Sequence, residues 1–113
     1  MRAYRINYTR KYKRYPTQRE GHFYLEDVSG ARQVCTIVNI SRKGMGIIFH
    51  TDVEMSIGTA IRVEIPIPGS SETMSVNGSL RWFDRMEIDI IGGIELLEEL
   101  SEEEVARLDS SRG

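Results

Sequence analysis

The sequence predicts a single, mainly β domain: a six-stranded antiparallel barrel with a basic N-terminal arm and a short C-terminal helix. Three observations point there. Apolar residues recur at every second position in a succession of short runs, the period of a half-buried strand. Turn signals rich in Gly, Pro, Ser and Asp separate the runs at regular spacing, as in small barrels. The chain has 113 residues, 40% of them hydrophobic, which suits one core and is too short for a second catalytic domain. Closure into a barrel would also remove the sticky sheet edges that this alternation otherwise leaves.

The arm is assigned to residues 1–20. Up to Arg19 it carries Arg2, Arg5, Arg10, Lys11, Lys13, Arg14 and Arg19 and no carboxylate. Tyr4, Tyr8, Tyr12 and Tyr15 recur at spacings that would stack them on one helix face, and Pro16 would end such a helix near Tyr15. Such an arm either covers part of the barrel with its tyrosines or closes over a ligand.

The barrel is assigned to residues 21–100. A strand from His22 to Glu26 runs into the turn signal Asp27-Val28-Ser29-Gly30. Arg32 to Ile40 alternates, with Val34, Thr36, Val38 and Ile40 on one face. Met45, Ile47 and Phe49 follow. Ile61, Val63, Ile65 and Ile67 form a clean period-2 run, and Pro66 and Pro68 finish it. After the loop Gly69-Ser70-Ser71-Glu72, Val76, Gly78, Leu80 and Trp82 make another strand. Asp84-Arg85 reads as a hairpin tip. Ile88, Ile90, Ile94 and Leu96 return, with Gly92-Gly93 as a bulge or a point of close approach.

The helix is assigned to residues 101–109. Ser101 caps it, Glu104 completes a capping box, and Leu100 and Val105 stand where a hydrophobic staple puts them. Glu102, Glu103 and Glu104 suit the positive end of the helix dipole. Val105 and Leu108 form its apolar face, which predicts a helix plugging one end of the barrel.

Composition argues against several function classes. His22, His50 and Cys35 are the only histidines and cysteine, and they lack metal-ligand spacing. Cys35 lies among Val34, Thr36 and Ile37, as a buried small hydrophobe does. Gly44-Met45-Gly46 opens a strand rather than a helix, so it fails as a dinucleotide fingerprint, and no P-loop is present. A binding module is expected rather than an enzyme, with no metal and no cofactor. No apolar run nears the roughly 18 residues of a membrane span. The basic start lacks a signal-peptide apolar region, and one cysteine is compatible with a reducing cytoplasm.

The net charge of −2 conceals a polar chain. The basic arm seeks an anion, whereas Glu95, Glu98, Glu99, Glu102, Glu103, Glu104 and Asp109 gather at the other end. Candidate partners for the arm are a phosphorylated small molecule, a nucleic acid, a membrane surface or that acidic end itself.

Two local patterns stand out. Arg10 and Arg14 are four apart in Arg10-Lys11-Tyr12-Lys13-Arg14. Guanidinium groups bind phosphate bidentately, stack on aromatic planes and reach the O6/N7 edge of guanine. The second pattern is Asn39-Ile40-Ser41-Arg42-Lys43-Gly44, N-x-S-x-x-G, in a tight turn between strands. Asn39 and Ser41 share one side of an extended chain, and Ile40 points the other way. Asn supplies a donor and an acceptor, Ser a hydroxyl, as a purine edge requires. Gly44 would permit positive φ or close approach of a ligand.

Together, in this order and on this β texture, the patterns resemble the PilZ domain family, which pairs R-x-x-x-R with [D/N]-x-S-x-x-G. Asn39 through Phe49, Gly78 through Trp82, and Gly93 through Leu96 also look like that family, and the likeness runs from about residue 10 to 108. It implies a six-stranded barrel with cyclic di-GMP on its outer surface. Arg10 and Arg14 would engage phosphates and guanine, Asn39 and Ser41 guanine and the nearby sugar-phosphate, and Gly44 would shape the turn. Lys13, Arg19 and Arg42 are further candidates. Ligand would order the arm and so signal to a downstream protein, in the cytoplasm of a bacterium. The chain departs from the family at Thr9, where many members carry a further arginine, which leaves ligand stoichiometry open. A second register, Arg14-Tyr15-Pro16-Thr17, would place Thr17 where the second arginine belongs. Arg10/Arg14 is preferred because both arginines are then present. The rival readings are a PilZ-like scaffold without nucleotide and a single-stranded nucleic-acid-binding barrel. The intact N-x-S-x-x-G argues against the first, and the sequence pI near 5.7 against the second.

Overall fold

The computed structural model describes residues 15–25 and 31–109. Six strands and one helix follow in order: β1 (Tyr15–Leu25), β2 (Gln33–Ile40), β3 (Gly44–Phe49), β4 (Ala60–Pro66), β5 (Thr73–Arg85), β6 (Ile90–Leu96) and α1 (Glu102–Leu108). They form a closed barrel in the order β1-β2-β3-β6-β5-β4. It consists of two three-stranded meanders joined along two seams, β3 with β6 and β1 with β4, and every pairing is antiparallel.

Period-2 alternation builds the core. Ile61, Val63 and Ile65 of β4, Met45, Ile47 and Phe49 of β3, and Ile90, Ile94 and Leu96 of β6 all point inward and are buried. Phe23 meets Phe49 edge to face, with ring centroids 4.9 Å apart, the geometry that aromatic quadrupoles prefer. Helix α1 starts as its sequence predicts. The Ser101 side chain accepts from the Glu104 amide while the Glu104 carboxylate accepts from the Ser101 amide. Leu100, Val105 and Leu108 join the barrel core.

Four expectations are corrected, two of them where a strand leaves ideal register. On β2 the inward face is Cys35 and Ile37, not Val34, Thr36 and Val38. A register shift between Ile37 and Asn39 then turns Ile40 inward, and Val34 is 40% exposed. On β5 a shift between Leu80 and Trp82 makes Arg81 the extra residue. Phe83 rather than Trp82 then packs against the core. A bulge changes which parity faces inward, and apolar alternation alone does not locate the change. The β5–β6 hairpin tip lies beyond Asp84-Arg85: Arg85 still pairs with Ile90, and the Met86 amide bonds the Asp89 carbonyl at 2.8 Å. Ile88 sits at that tip, 80% exposed. Finally, β1 begins at Tyr15 and runs through Pro16, so strand structure starts before Gly21. Pro16 is exposed on the strand's outer side, where a proline is tolerated.

At the barrel end away from the β2–β3 turn, the His50 ring ties two strand ends together. It bonds the Thr36 hydroxyl at 2.8 Å and the Asp89 carboxylate at 3.2 Å.

Candidate functional site

Ser41 is the keystone of the N-x-S-x-x-G turn. It is 3% exposed. Its Oγ accepts from the amides of Lys43 (3.2 Å) and Gly44 (3.0 Å) and donates to the Gly44 carbonyl (3.2 Å). One donor and two lone pairs are then all used. The Ser41 amide also bonds the Gly44 carbonyl at 2.9 Å, so β2 and β3 close around Arg42 and Lys43 alone. Among the described residues, positive φ occurs only at Gly58 and Gly69. Of the two roles open to Gly44, positive φ is not used: a short turn built on a serine hydroxyl does not need it.

Asn39 sits at the β2 register shift and replaces part of the ladder with its side chain. Its Oδ1 accepts from the Gly46 amide at 3.0 Å. A Cβ on Gly46 would stand 2.5 Å from Asn39 Nδ2. Only glycine lets the amide lie flat across β3.

The same geometry recurs two strands away. Trp82 pairs with Gly93 across β5 and β6, and a Cβ on Gly93 would stand 2.9 Å from both Cδ1 and Cε2 of the indole. The register therefore aligns Asn39, Gly46, Gly93 and Trp82 in one row across β2, β3, β6 and β5. Two glycines form a floor, with an amide laid over one and an indole over the other. Three inter-strand spacings make the row roughly 14 Å long. Trp82 keeps 48% of its surface exposed. Sequence alone places Trp82 in a strand with Val76, Gly78 and Leu80 and does not mark it as a site residue. The usable signal was the Gly92-Gly93 pair, which marked a close approach without saying whose side chain approaches.

The register also sets the start of β1 beside the N-x-S-x-x-G turn. Tyr15, the residue after Arg14 in sequence, pairs with Ile40, and Pro16 pairs with Asn39. Residues 25 apart in sequence are thus tied to neighbouring strands. Arg10, Lys13 and Arg14 themselves lie outside the described residues, as do Tyr4, Tyr8 and Tyr12. Thr17, the rival arginine position, lies within β1.

The turn is bound to the segment leading into α1. The Lys43 carbonyl accepts from the Leu96 amide and the Arg42 carbonyl from the Leu100 amide, both at 2.7 Å. Arg42 Nε donates back to the Leu100 carbonyl at 2.9 Å, and its Nη2 lies 3.5 Å from Glu99. Arg19 Nε donates to the Leu108 carbonyl at 3.0 Å. Arg81 pairs with Glu95 beside the Trp82 row.

Cys35 is buried on the inward face of β2. Burial, with a smaller contribution from the Glu20 charge, pushes its thiol up from 9.0 to about 12. Such a thiol stays protonated and inert. Among the described residues no cluster of His, Cys, Asp and Glu has the arrangement of a metal site. Nor is any helix among them long and apolar enough to cross a membrane.

The barrel interior is filled with apolar side chains. The fold and site define a class of small closed barrel that presents one sheet face and one hairpin turn. The chain belongs to the PilZ domain family, whose sequence model matches residues 8–111. Its fold is similar to the solved PilZ domain with c-di-GMP of YcgR from Escherichia coli, at 15% identity and a TM-score of 0.70, over 92% of this chain and 91% of that one. It is also similar to the Bacillus subtilis inhibitor of motility (MotI/DgrA), at 18% identity and a TM-score of 0.64. That match covers 89% of this chain and 48% of the other, so the chain spans about half the length of that protein. No curated protein sequence matches the chain.

Proposed function

We propose that this domain is a receptor for cyclic di-GMP that binds the dinucleotide on its outer surface and carries out no catalysis itself. The observation that carries the proposal is the aligned row Asn39–Gly46–Gly93–Trp82 beside the point where the chain enters β1. Asn39 offers donor and acceptor groups to a guanine edge. Trp82 offers an exposed π-face for a base. Arg10 and Arg14 supply bidentate grips for phosphate and for the guanine O6/N7 edge. Ser41 serves by holding the turn, since its hydroxyl is already fully bonded, and Gly44 completes that turn. Lys13, Arg19, Arg42 and Lys43 add positive charge that draws the dianion, an attraction that weakens with salt.

The signal is the ordering of the basic N-terminal arm when ligand binds, which changes the surface presented to a downstream protein. The setting is the cytoplasm of a bacterium. The YcgR domain solved with c-di-GMP supports the ligand's identity by fold likeness.

Isothermal titration of the whole chain with cyclic di-GMP, and with GTP as control, tests the proposal. Saturable heat with cyclic di-GMP alone is expected, and its molar ratio decides between one ligand and a stacked pair. Absence of heat in a folded sample would overturn the proposal in favour of a scaffold working through protein contacts.

A further inference from the structure

Both ends of helix α1 are held by arginines, one from the N-x-S-x-x-G turn and one from β1. Arg42, inside the N-x-S-x-x-G turn, exchanges two hydrogen bonds with Leu100, the residue just before the N-cap. Arg19, at the register shift near the root of the arm, donates to Leu108, the last helical residue. Between these anchors Leu100, Val105 and Leu108 are buried in the barrel core. Glu99 adds a carboxylate to Arg42, and Glu98, Glu102, Glu103 and Glu104 stand close by in sequence. A dianionic ligand at the turn enters this acidic neighbourhood and draws on the same guanidinium.

We infer that Glu99 is a built-in competitor of the ligand: its carboxylate pairs with Arg42 and so helps tie the start of α1 to the turn. The inference rests on the receptor reading and adds a regulatory contact to it. Ligand phosphate draws Arg42 away from Glu99 and Leu100, and the N-terminal end of α1 loosens from the barrel. The coupling is reciprocal, as linkage requires. Neutralising Glu99 while Arg42 stays in place raises ligand affinity, and ligand lowers the protection of α1. The contact is solvent-facing, so the effect is modest, about three-fold in affinity at low salt, and it fades as salt screens both attractions.

The test uses the whole chain, with cyclic di-GMP as the probe. Hydrogen exchange is followed for the amides of residues 102–109 with and without ligand. Affinity is measured for the wild type and for Glu99→Gln, an isosteric surface change that leaves the core untouched. Expected are exchange in α1 several-fold faster with ligand bound, and about three-fold tighter binding by Glu99→Gln that reverts toward the wild-type value at high salt. Binding with unchanged α1 exchange and wild-type affinity in Glu99→Gln overturns the competitor contact and leaves the receptor reading standing. No binding by either protein overturns the receptor reading, and this inference with it.

Discussion

Gly93→Ala is the sharpest single perturbation of the surface row. The added Cβ stands 2.9 Å from two indole atoms of Trp82 and closer still to Nε1, within the distance that real Cβ atoms avoid. Those are its three nearest neighbours, so the indole has to move rather than the backbone. Overpacking of this kind costs about 1–3 kcal/mol. The half-exposed indole can swing outward, which puts the cost near about 1 kcal/mol, the low end of that range. Ligand binding suffers more. Stacking of a base on an aromatic ring contributes about 1–3 kcal/mol, so losing the seated indole weakens cyclic di-GMP roughly five- to 150-fold. Trp82 is the only tryptophan, so intrinsic emission reports on it directly. Gly93→Ala is expected to shift emission to the red, and ligand should quench the wild type but not the variant. In a Trp82→Ala background, Gly93→Ala is expected to cost almost nothing by circular dichroism melting, a non-additivity that isolates the contact. Wild-type emission together with wild-type affinity in Gly93→Ala would refute the assignment of Trp82 to the site.

Arg14→Ala is expected to abolish cyclic di-GMP binding by titration calorimetry while leaving the thermal midpoint of the barrel unchanged, and Arg10→Ala to weaken binding strongly. Ser41→Ala strands the Lys43 and Gly44 amides in a buried turn. It is expected to cost about 1–3 kcal/mol in urea unfolding and to weaken ligand through the turn, and unchanged stability with lost binding would instead mark Ser41 as a direct contact. Cys35 has a folded-state thiol raised from 9.0 to about 12, so the unfolded chain releases its proton first as pH rises. The stabilisation is therefore complete below about pH 9 and is lost between pH 9 and 12, and it amounts to roughly 4 kcal/mol from this group. Denaturant melts across that range should show the decline, and Cys35→Ser should flatten it. Alkylation of the native thiol at pH 8 should follow global unfolding.

Much of the architecture was written in local sequence. A strand buries alternate residues, so Ile61 to Ile67 and Met45 to Phe49 announced their strands and their inward faces. Ser101 and Glu104 specified the helix start because a capping box involves only residues within one turn. The N-x-S-x-x-G hexapeptide marked its own turn for the same reason, since every bond of the Ser41 hydroxyl is made within three residues.

Other features depended on partners distant in the chain. The bulges at Val38 and Arg81 are fixed by register against β3 and β6, and a one-residue shift reverses which side chains face inward. That is why Val34 and Trp82 lie outside although each shares an alternating run with a buried residue, Ile40 and Leu80 respectively. Pro16 and Thr17 read as the end of an arm, yet pairing with β2 draws Tyr15 and Pro16 into a strand. The two-glycine floor exists only because closure brings Gly46 and Gly93 onto adjacent strands. Sequence by itself determined the strand periods, the helix cap and the turn, because their interactions are local. Tertiary structure alone decided the row from Asn39 to Trp82 and the arginine anchors of α1, because residues 19, 42, 82 and 93 meet their partners only once the barrel has closed.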